Sequence, residues 1–142
     1  ARRESDRQWV DLARQGPGFW ERWYEQDLFR SFHDLPATAR EAWLKRRFTI
    51  DIGHLSHQLS ALSPASHEYL GPLLESLPSR GISVLYIAGE RDKKYANLAL
   101  TLSRKNIPAE ILPQAGHILP LEAPAAVAAK VREFAASIAK GN

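Results

Sequence analysis

Two side chains that can transfer or orient protons each follow a segment with the pattern of a β-strand. The apolar run Ile82–Ala88 is followed by Asp92, and the shorter run Ala109–Leu112 is followed by His117. Because the active sites of open parallel sheets lie beyond the carboxyl ends of the strands, both side chains are expected there. In a Ser-His-Asp triad the imidazole transfers the proton, while the carboxylate fixes its tautomer and stabilises the imidazolium. We therefore predict that Asp92 and His117 are catalytic.

Each of the two residues also has a simpler interpretation when it is considered alone. Asp92 directly precedes Lys93 and has the spacing of a turn or helix-capping acid. His117 lies after a glycine in a loop, a position typical of a histidine whose ring is satisfied by backbone groups. The order of the pair, its spacing and its positions at strand ends favour the catalytic interpretation. The other histidines have no ligand spacing with an acid and are predicted to be surface or capping residues: His33, His54, His57 and His67.

The nucleophile of such a triad is absent from the sequence. A triad of this order begins with a serine on a sharp Gly-x-Ser-x-Gly turn that precedes the acid and the histidine. No such turn occurs in the 142 residues. We therefore expect the chain to be the later part of a larger enzyme, and we expect the chain alone to be inactive.

The composition excludes several other classes of protein. The chain has no cysteine, which excludes disulfides and thiolate chemistry and is typical of a cytoplasmic protein. Its first residues are charged, so no secretory signal is expected, and no apolar run approaches the roughly 20 residues that span a bilayer. The net charge of +3 is spread among interleaved acids and bases, which argues against nucleic-acid binding.

The periodicity of apolar residues changes once along the chain. Residues 1–77 have helical patterns, at about 5–13, 19–24, 36–48 and 49–62, with a short segment at 69–77. Residues 78–142 then follow the order strand, helix, strand, helix, which indicates an α/β fold with two parallel strands. The last helix is expected to bury a stripe made of Val127, Val131, Phe134 and Ile138.

The predicted sheet is incomplete. Two parallel strands with their helices cannot cover both faces and both edges of a sheet, and the run Ile82–Ala88 is apolar on both faces. We therefore expect a missing N-terminal half of the same fold. We also expect that the isolated chain self-associates or swaps elements through its bare sheet edge.

Three segments resemble those of one enzyme family, MenH, the 2-succinyl-6-hydroxy-2,4-cyclohexadiene-1-carboxylate synthases of menaquinone biosynthesis. They are Ser5-Asp6-Arg7-Gln8-Trp9, Trp23-Tyr24-Glu25-Gln26-Asp27-Leu28-Phe29 and Gly89-Glu90-Arg91-Asp92-Lys93-Lys94-Tyr95. The pattern Gly-His-x-x-x-x-Glu-x-Pro from Gly116 resembles the histidine loop of α/β-hydrolase-fold proteins. The resemblance covers nearly the whole chain. It implies a helical cap region in residues 1–77 and a C-terminal part of the hydrolase core in residues 78–142.

The resemblance implies a lyase that eliminates pyruvate from a succinyl-cyclohexene dicarboxylate, with the triad used for proton abstraction. It implies no metal and no organic cofactor. Because a guanidinium matches a carboxylate bidentately, arginines suit such a polycarboxylate substrate. By resemblance these are Arg2 and, in the cap, Arg47, with Arg46 as the alternative, while Trp23 and Tyr24 are expected to line the pocket.

Two alternatives stay open at this point. The first is another α/β-hydrolase-fold enzyme, such as an esterase or a C–C bond hydrolase, although an apolar ester does not need paired arginines. The second is a non-catalytic, truncated relative that acts as a binding module. The sequence also departs from the family pattern after the histidine, where Ile118 and Pro120 replace the Asn and His found in many members.

Overall fold

The protein forms two compact units of different character. The computed structural model describes residues 2–16, 18–63 and 70–141, with the side chains of 4–16, 18–63 and 70–139. The first unit comprises the described residues of Ala1–Gln26 and Leu35–Tyr69, and the second comprises those of Asp27–Asp34 and Leu70–Asn142. The expected boundary at residue 77, between a helical cap region and the hydrolase core, stays a prediction. In the structure, residues 27–34 and 70–77 group with the second compact unit.

The first unit is helical. It contains α1 (Arg2–Gln15), α2 (Phe19–Tyr24), α3 (Ala37–Arg47) and α4 (Ile52–Ala61). Helix α1 packs against α4. Helix α4 begins after Asp51, whose carboxylate accepts a hydrogen bond from the His54 N–H at 3.1 Å and so caps the first turn. The four helices predicted from the apolar periodicity are therefore present.

Aromatic rings fill the core of the first unit. Phe19 and Trp20 are buried, and their rings meet edge to face with centroids 5.0 Å apart. Trp23 stacks on Phe19 at 5.5 Å and meets Trp9 at 5.0 Å. Such rings remove large apolar areas from water, and their edge-to-face geometry adds a smaller electrostatic attraction.

The second unit is built on two parallel strands. It contains the 3₁₀ segment Asp27–Asp34, α5 (Gly71–Ser76), a 3₁₀ turn at Pro78–Arg80, β1 (Tyr86–Gly89), α6 (Lys93–Ser103), β2 (Ala109–Leu112), α7 (Leu119–Glu122) and α8 (Pro124–Gly141). Strands β1 and β2 are parallel, with Tyr86 opposite Ala109 and Gly89 opposite Leu112. Helix α6 is the crossover between them and packs on both. The predicted β-α-β order is therefore confirmed.

Two predictions about this unit are wrong in detail. The first strand spans Tyr86–Gly89 rather than residues 82–88. Its ladder to β2 begins where the Tyr86 N–H donates to the carbonyl of Pro108, and a proline has no N–H to extend the ladder further back. On α8, Val131 is 51% exposed and Ile138 is 37% exposed, so the expected stripe is not buried by the described residues.

Among the described residues, no helix combines the length and the apolar character that crossing a lipid bilayer requires.

Candidate active site

Strand β1 and helix α6 together fix the position of Asp92. The chain turns sharply after β1, where the Asp92 N–H donates to the carbonyl of Gly89 at 3.1 Å. Asp92 then caps α6, because its Oδ1 accepts a hydrogen bond from the Tyr95 N–H at 3.3 Å. The helix-capping interpretation of this acid is thus correct, but capping uses only one of the two carboxylate oxygens.

The loop after β2 is tied to the loop after β1. The Glu90 N–H donates to the carbonyl of Leu112, and the Arg91 N–H donates to the carbonyl of Ala115, both at 2.9 Å. In the opposite direction, the Gln114 N–H donates to the Glu90 carboxylate at 2.9 Å. These bonds bring the loop that carries His117 against the turn that carries Asp92.

The second oxygen of Asp92 meets His117. The distance between His117 Nδ1 and Asp92 Oδ2 is 2.6 Å, with the carboxylate side chain only 4% exposed and the imidazole 32% exposed. An ionised carboxylate only accepts hydrogen bonds, so Nδ1 carries the proton and Nε2 of a neutral ring is an acceptor. This is the tautomer that a general base acting through Nε2 requires.

Two aromatic rings flank the imidazole. The centroid of Phe29 lies 5.5 Å from that of His117 at a steep interplanar angle of 67°, and the centroid of Tyr95 lies 5.3 Å away at 42°. Neither residue was predicted from the sequence to belong to the site, although both lie in segments that carry the family resemblance. Burial is the main reason that the pKa of the Tyr86 hydroxyl is raised, and the charges of Tyr95 and Asp92 raise it further. The Tyr86 phenol therefore stays neutral near Asp92.

Two glycines allow the loops to approach this closely. A Cβ atom on Gly89 would overlap the backbone carbonyl groups of Ala115 and Gly116. A Cβ atom on Gly116 would overlap the hydroxyl of Ser31, which is buried. Neither glycine has a positive φ, so close approach rather than backbone conformation is the reason that a side chain does not fit.

An ion pair joins the 27–34 segment to the turn between β1 and α6, since the Arg91 guanidinium donates a hydrogen bond to the Asp34 carboxylate. This hydrogen bond, together with the positive charge of Arg91, holds the pKa of Asp34 below its ordinary value. Because the folded-state pKa is lowered, the pair stabilises the fold above the unfolded-state pKa, and that contribution is lost as the pH falls through the folded-state pKa.

We expect the substitution Arg91→Gln to return the pKa of the Asp34 carboxyl to its ordinary value. The measurement is the carboxyl ¹³C shift of Asp34 as a function of pH in both proteins. Both partners are exposed, so the effect on stability is expected to be small. An unchanged Asp34 titration in Arg91→Gln would contradict the ion pair.

The other predicted site residues lie in the first unit. Arg47 covers the ring of Trp43 at 4.3 Å from the centroid, whereas Arg46 is exposed. Trp23 is half-buried, and the buried Tyr24 accepts a hydrogen bond from Trp43 Nε1 at 2.7 Å. The backbone of Arg2 begins α1, but its side chain lies outside the described residues. Their substrate-binding role stays a prediction.

In the described part of the chain, no group of three or more histidine, cysteine, aspartate or glutamate side chains is arranged so that it could bind a metal ion.

Comparison with known proteins gives one consistent set of relatives. No family model matches the chain. A protein named 2-succinyl-6-hydroxy-2,4-cyclohexadiene-1-carboxylate synthase from Enterobacter sp. (strain 638) is 33% identical over 131 residues, which are 91% of this chain and 47% of that protein. The protein of the same name from Klebsiella pneumoniae (strain 342) is 32% identical over 139 residues, 96% of this chain and 52% of that protein. The chain thus spans about half the length of the curated relatives it matches.

A solved structure has the same fold. The structure of MenH from S. aureus superposes with a TM-score of 0.83 and 19% identity, over 96% of this chain and 52% of that protein. At this level of identity the likeness concerns the fold. It confirms the predicted fold class, the C-terminal part of an α/β-hydrolase fold with helices followed by two parallel strands.

Proposed function

Because the chain is a relative of the 2-succinyl-6-hydroxy-2,4-cyclohexadiene-1-carboxylate synthases over about half of their length, we propose that it supplies the acid and the histidine of a lyase of this kind. The lyase eliminates pyruvate from a succinyl-cyclohexene dicarboxylate in menaquinone biosynthesis. The observation that carries the proposal is the 2.6 Å contact between His117 Nδ1 and the buried carboxylate of Asp92.

The contact suits His117 to act on a serine hydroxyl. With Nδ1–H donated to Asp92, the lone pair of Nε2 is available to accept the serine proton. The Asp92 carboxylate then stabilises the imidazolium that forms, and its burial strengthens this interaction because little water screens it.

The serine oxygen made basic in this way removes a proton from the substrate ring. The electrons of the broken C–H bond form a new ring C=C bond, the existing ring double bond shifts, and the bond between the ring carbon and the oxygen of the enolpyruvyl group breaks. Pyruvate leaves as its enolate and takes up a proton, so atoms and charge balance without an oxidant or a reductant. The proton travels by way of the serine and His117.

Arginines are proposed to bind the substrate carboxylates. By resemblance the candidates are Arg2 and Arg47, and Arg47 is the better candidate than Arg46 because its guanidinium is already oriented by the ring of Trp43. Trp23 and Tyr24 are proposed to form an apolar wall for the ring of the substrate.

The nucleophile is proposed to come from a segment outside these 142 residues, and the chain alone is proposed to be inactive. Apolar side chains exposed on the second unit support a missing neighbour: Leu98, Leu100, Val131 and Ile138 are all at least 37% exposed. The bare edge of the two-stranded sheet is proposed to drive self-association or element swapping of the isolated chain.

The substrate class is tested by combining the chain with the serine-bearing half of a relative. We expect the combination to release pyruvate from the succinyl-cyclohexene dicarboxylate and to leave p-nitrophenyl esters largely uncleaved. The chain without that half is the control and is expected to release none. Ester cleavage without pyruvate release would overturn the lyase assignment and favour a hydrolase.

A further inference from the structure

The Glu122 carboxylate binds the backbone on both sides of His117. Its Oε2 accepts a hydrogen bond from the Gly116 N–H at 2.6 Å, and its Oε1 accepts one from the Ile118 N–H at 2.9 Å. The residue between these two donors is His117. One side chain therefore holds the three-residue segment whose middle member carries the imidazole.

Glu122 is itself fixed close to this segment. It is the last residue of α7, and its own N–H donates to the carbonyl of Ile118 at 2.9 Å. Backbone and side chain of Glu122 thus both bind Ile118, and the side chain is half-buried. Partial burial shields the two charge-assisted bonds from water, so they resist bending of the loop.

The imidazole depends on this support. Among the described residues, His117 makes one side-chain hydrogen bond, to Asp92, and its two ring contacts with Phe29 and Tyr95 are non-directional by comparison. A rotation of the backbone at His117 would swing the ring and lengthen the bond from Nδ1 to Oδ2. Reacting groups displaced by about 1 Å lose on the order of 10²-fold in rate.

We propose that Glu122 is a positioning residue for His117, which sets the backbone orientation at which the imidazole meets Asp92. Its importance for catalysis rests on the proposed function, whereas its effect on the bond between His117 and Asp92 does not. A carboxylate suits the task because it offers two acceptor oxygens to two N–H donors. An amide offers one oxygen and turns its NH₂ group toward the other donor.

The experiment follows His117 by ¹⁵N and ¹H NMR in the full 142-residue chain. A hydrogen bond as short as 2.6 Å gives the Nδ1 proton a far-downfield resonance. We compare the unmodified chain with Glu122→Gln and Glu122→Ala. The matched control is Glu133→Gln, which changes a 65% exposed acid on α8 that pairs with Lys130.

We expect the resonance to be present in the unmodified chain and in Glu133→Gln, broadened in Glu122→Gln and lost in Glu122→Ala. The Gly116 and Ile118 amides should exchange faster with solvent in both Glu122 variants. If Glu122→Ala unfolds, the milder Glu122→Gln decides the question, with the buried Ile107 methyl signals as the measure of folding.

The inference is overturned if the two amides exchange faster while the His117 resonance keeps its shift and width, because Glu122 would then serve the loop alone. It is equally overturned if the unmodified chain has no such resonance. Failure of the proposed lyase has a different signature, namely an intact NMR response together with no pyruvate release from the completed protein.

Discussion

The substitution Asp92→Asn is expected to lower pyruvate release by the completed protein by about 10⁴-fold in kcat, the size of the loss when this change is made in a Ser-His-Asp triad. The physical reason is the tautomer of His117. Oδ1 of residue 92 must stay an acceptor for the Tyr95 N–H, so an asparagine turns its NH₂ group toward Nδ1. The imidazole proton then lies on Nε2, which no longer accepts the serine proton.

This loss should occur without unfolding, because asparagine caps a helix as well as aspartate does. Thermal melts of the two proteins are therefore expected to coincide within a few degrees. The matched control is Asp51→Asn, a helix-capping acid of the first unit that is expected to leave pyruvate release unchanged. Equal rates for Asp92→Asn and the unmodified protein would contradict a catalytic role for the acid.

The substitution Gly89→Ala is expected to destabilise the second unit by about 3 kcal/mol, at the upper end of the usual cost of overpacking. The added Cβ would meet backbone atoms of Ala115 and Gly116, and backbone atoms cannot turn aside as a flexible side chain can. The loop that carries His117 must shift, so the contact between His117 and Asp92 is expected to lengthen as well.

The measurement is the free energy of unfolding from urea titration, together with the downfield proton of His117. The control is Gly53→Ala on α4, where the added Cβ would lie 3.1 Å from a carboxylate oxygen of Asp51. That side chain can move, and alanine is the better helix former, so a change of less than about 1 kcal/mol is expected. A Gly89→Ala protein as stable as the unmodified one would contradict the close approach of the two loops.

The acid and the histidine could be predicted because each follows an apolar run that forms a strand. Strand order and the position of active sites in parallel sheets then bring Asp92 and His117 to the same end of the sheet. The helix-capping role of Asp92 could be predicted too, but sequence alone presents it as an alternative. The structure has both roles at once, because the carboxylate has two oxygens.

The contacts that come from distant parts of the chain could not be predicted in this way. Phe29 and Ser31 reach the histidine loop from a segment that precedes β1 by more than 50 residues, and periodicity carries no information about such a pairing. Glu122 was visible in the Gly-His-x-x-x-x-Glu-x-Pro pattern. Its role depends on how tightly the loop curls back, which follows from the folded geometry rather than from spacing.

The limits of the first strand were mispredicted for a related reason. Three of the four residues 82–85 are apolar, as expected of a buried strand, but a strand also needs a hydrogen-bonded neighbour. In the described residues that neighbour is β2, which pairs with Tyr86–Gly89. Ile82, which has no strand partner among the described residues, is left 45% exposed.

The most direct test of the proposed lyase is the rate of pyruvate release by the completed protein with and without the His117 imidazole. We predict steady release by the unmodified protein, a loss on the order of 10⁴-fold or more in His117→Gln, and an unchanged rate in His57→Gln, which alters an exposed histidine of α4. Release by His117→Gln at the unmodified rate would contradict the assignment of Asp92 and His117 as triad members.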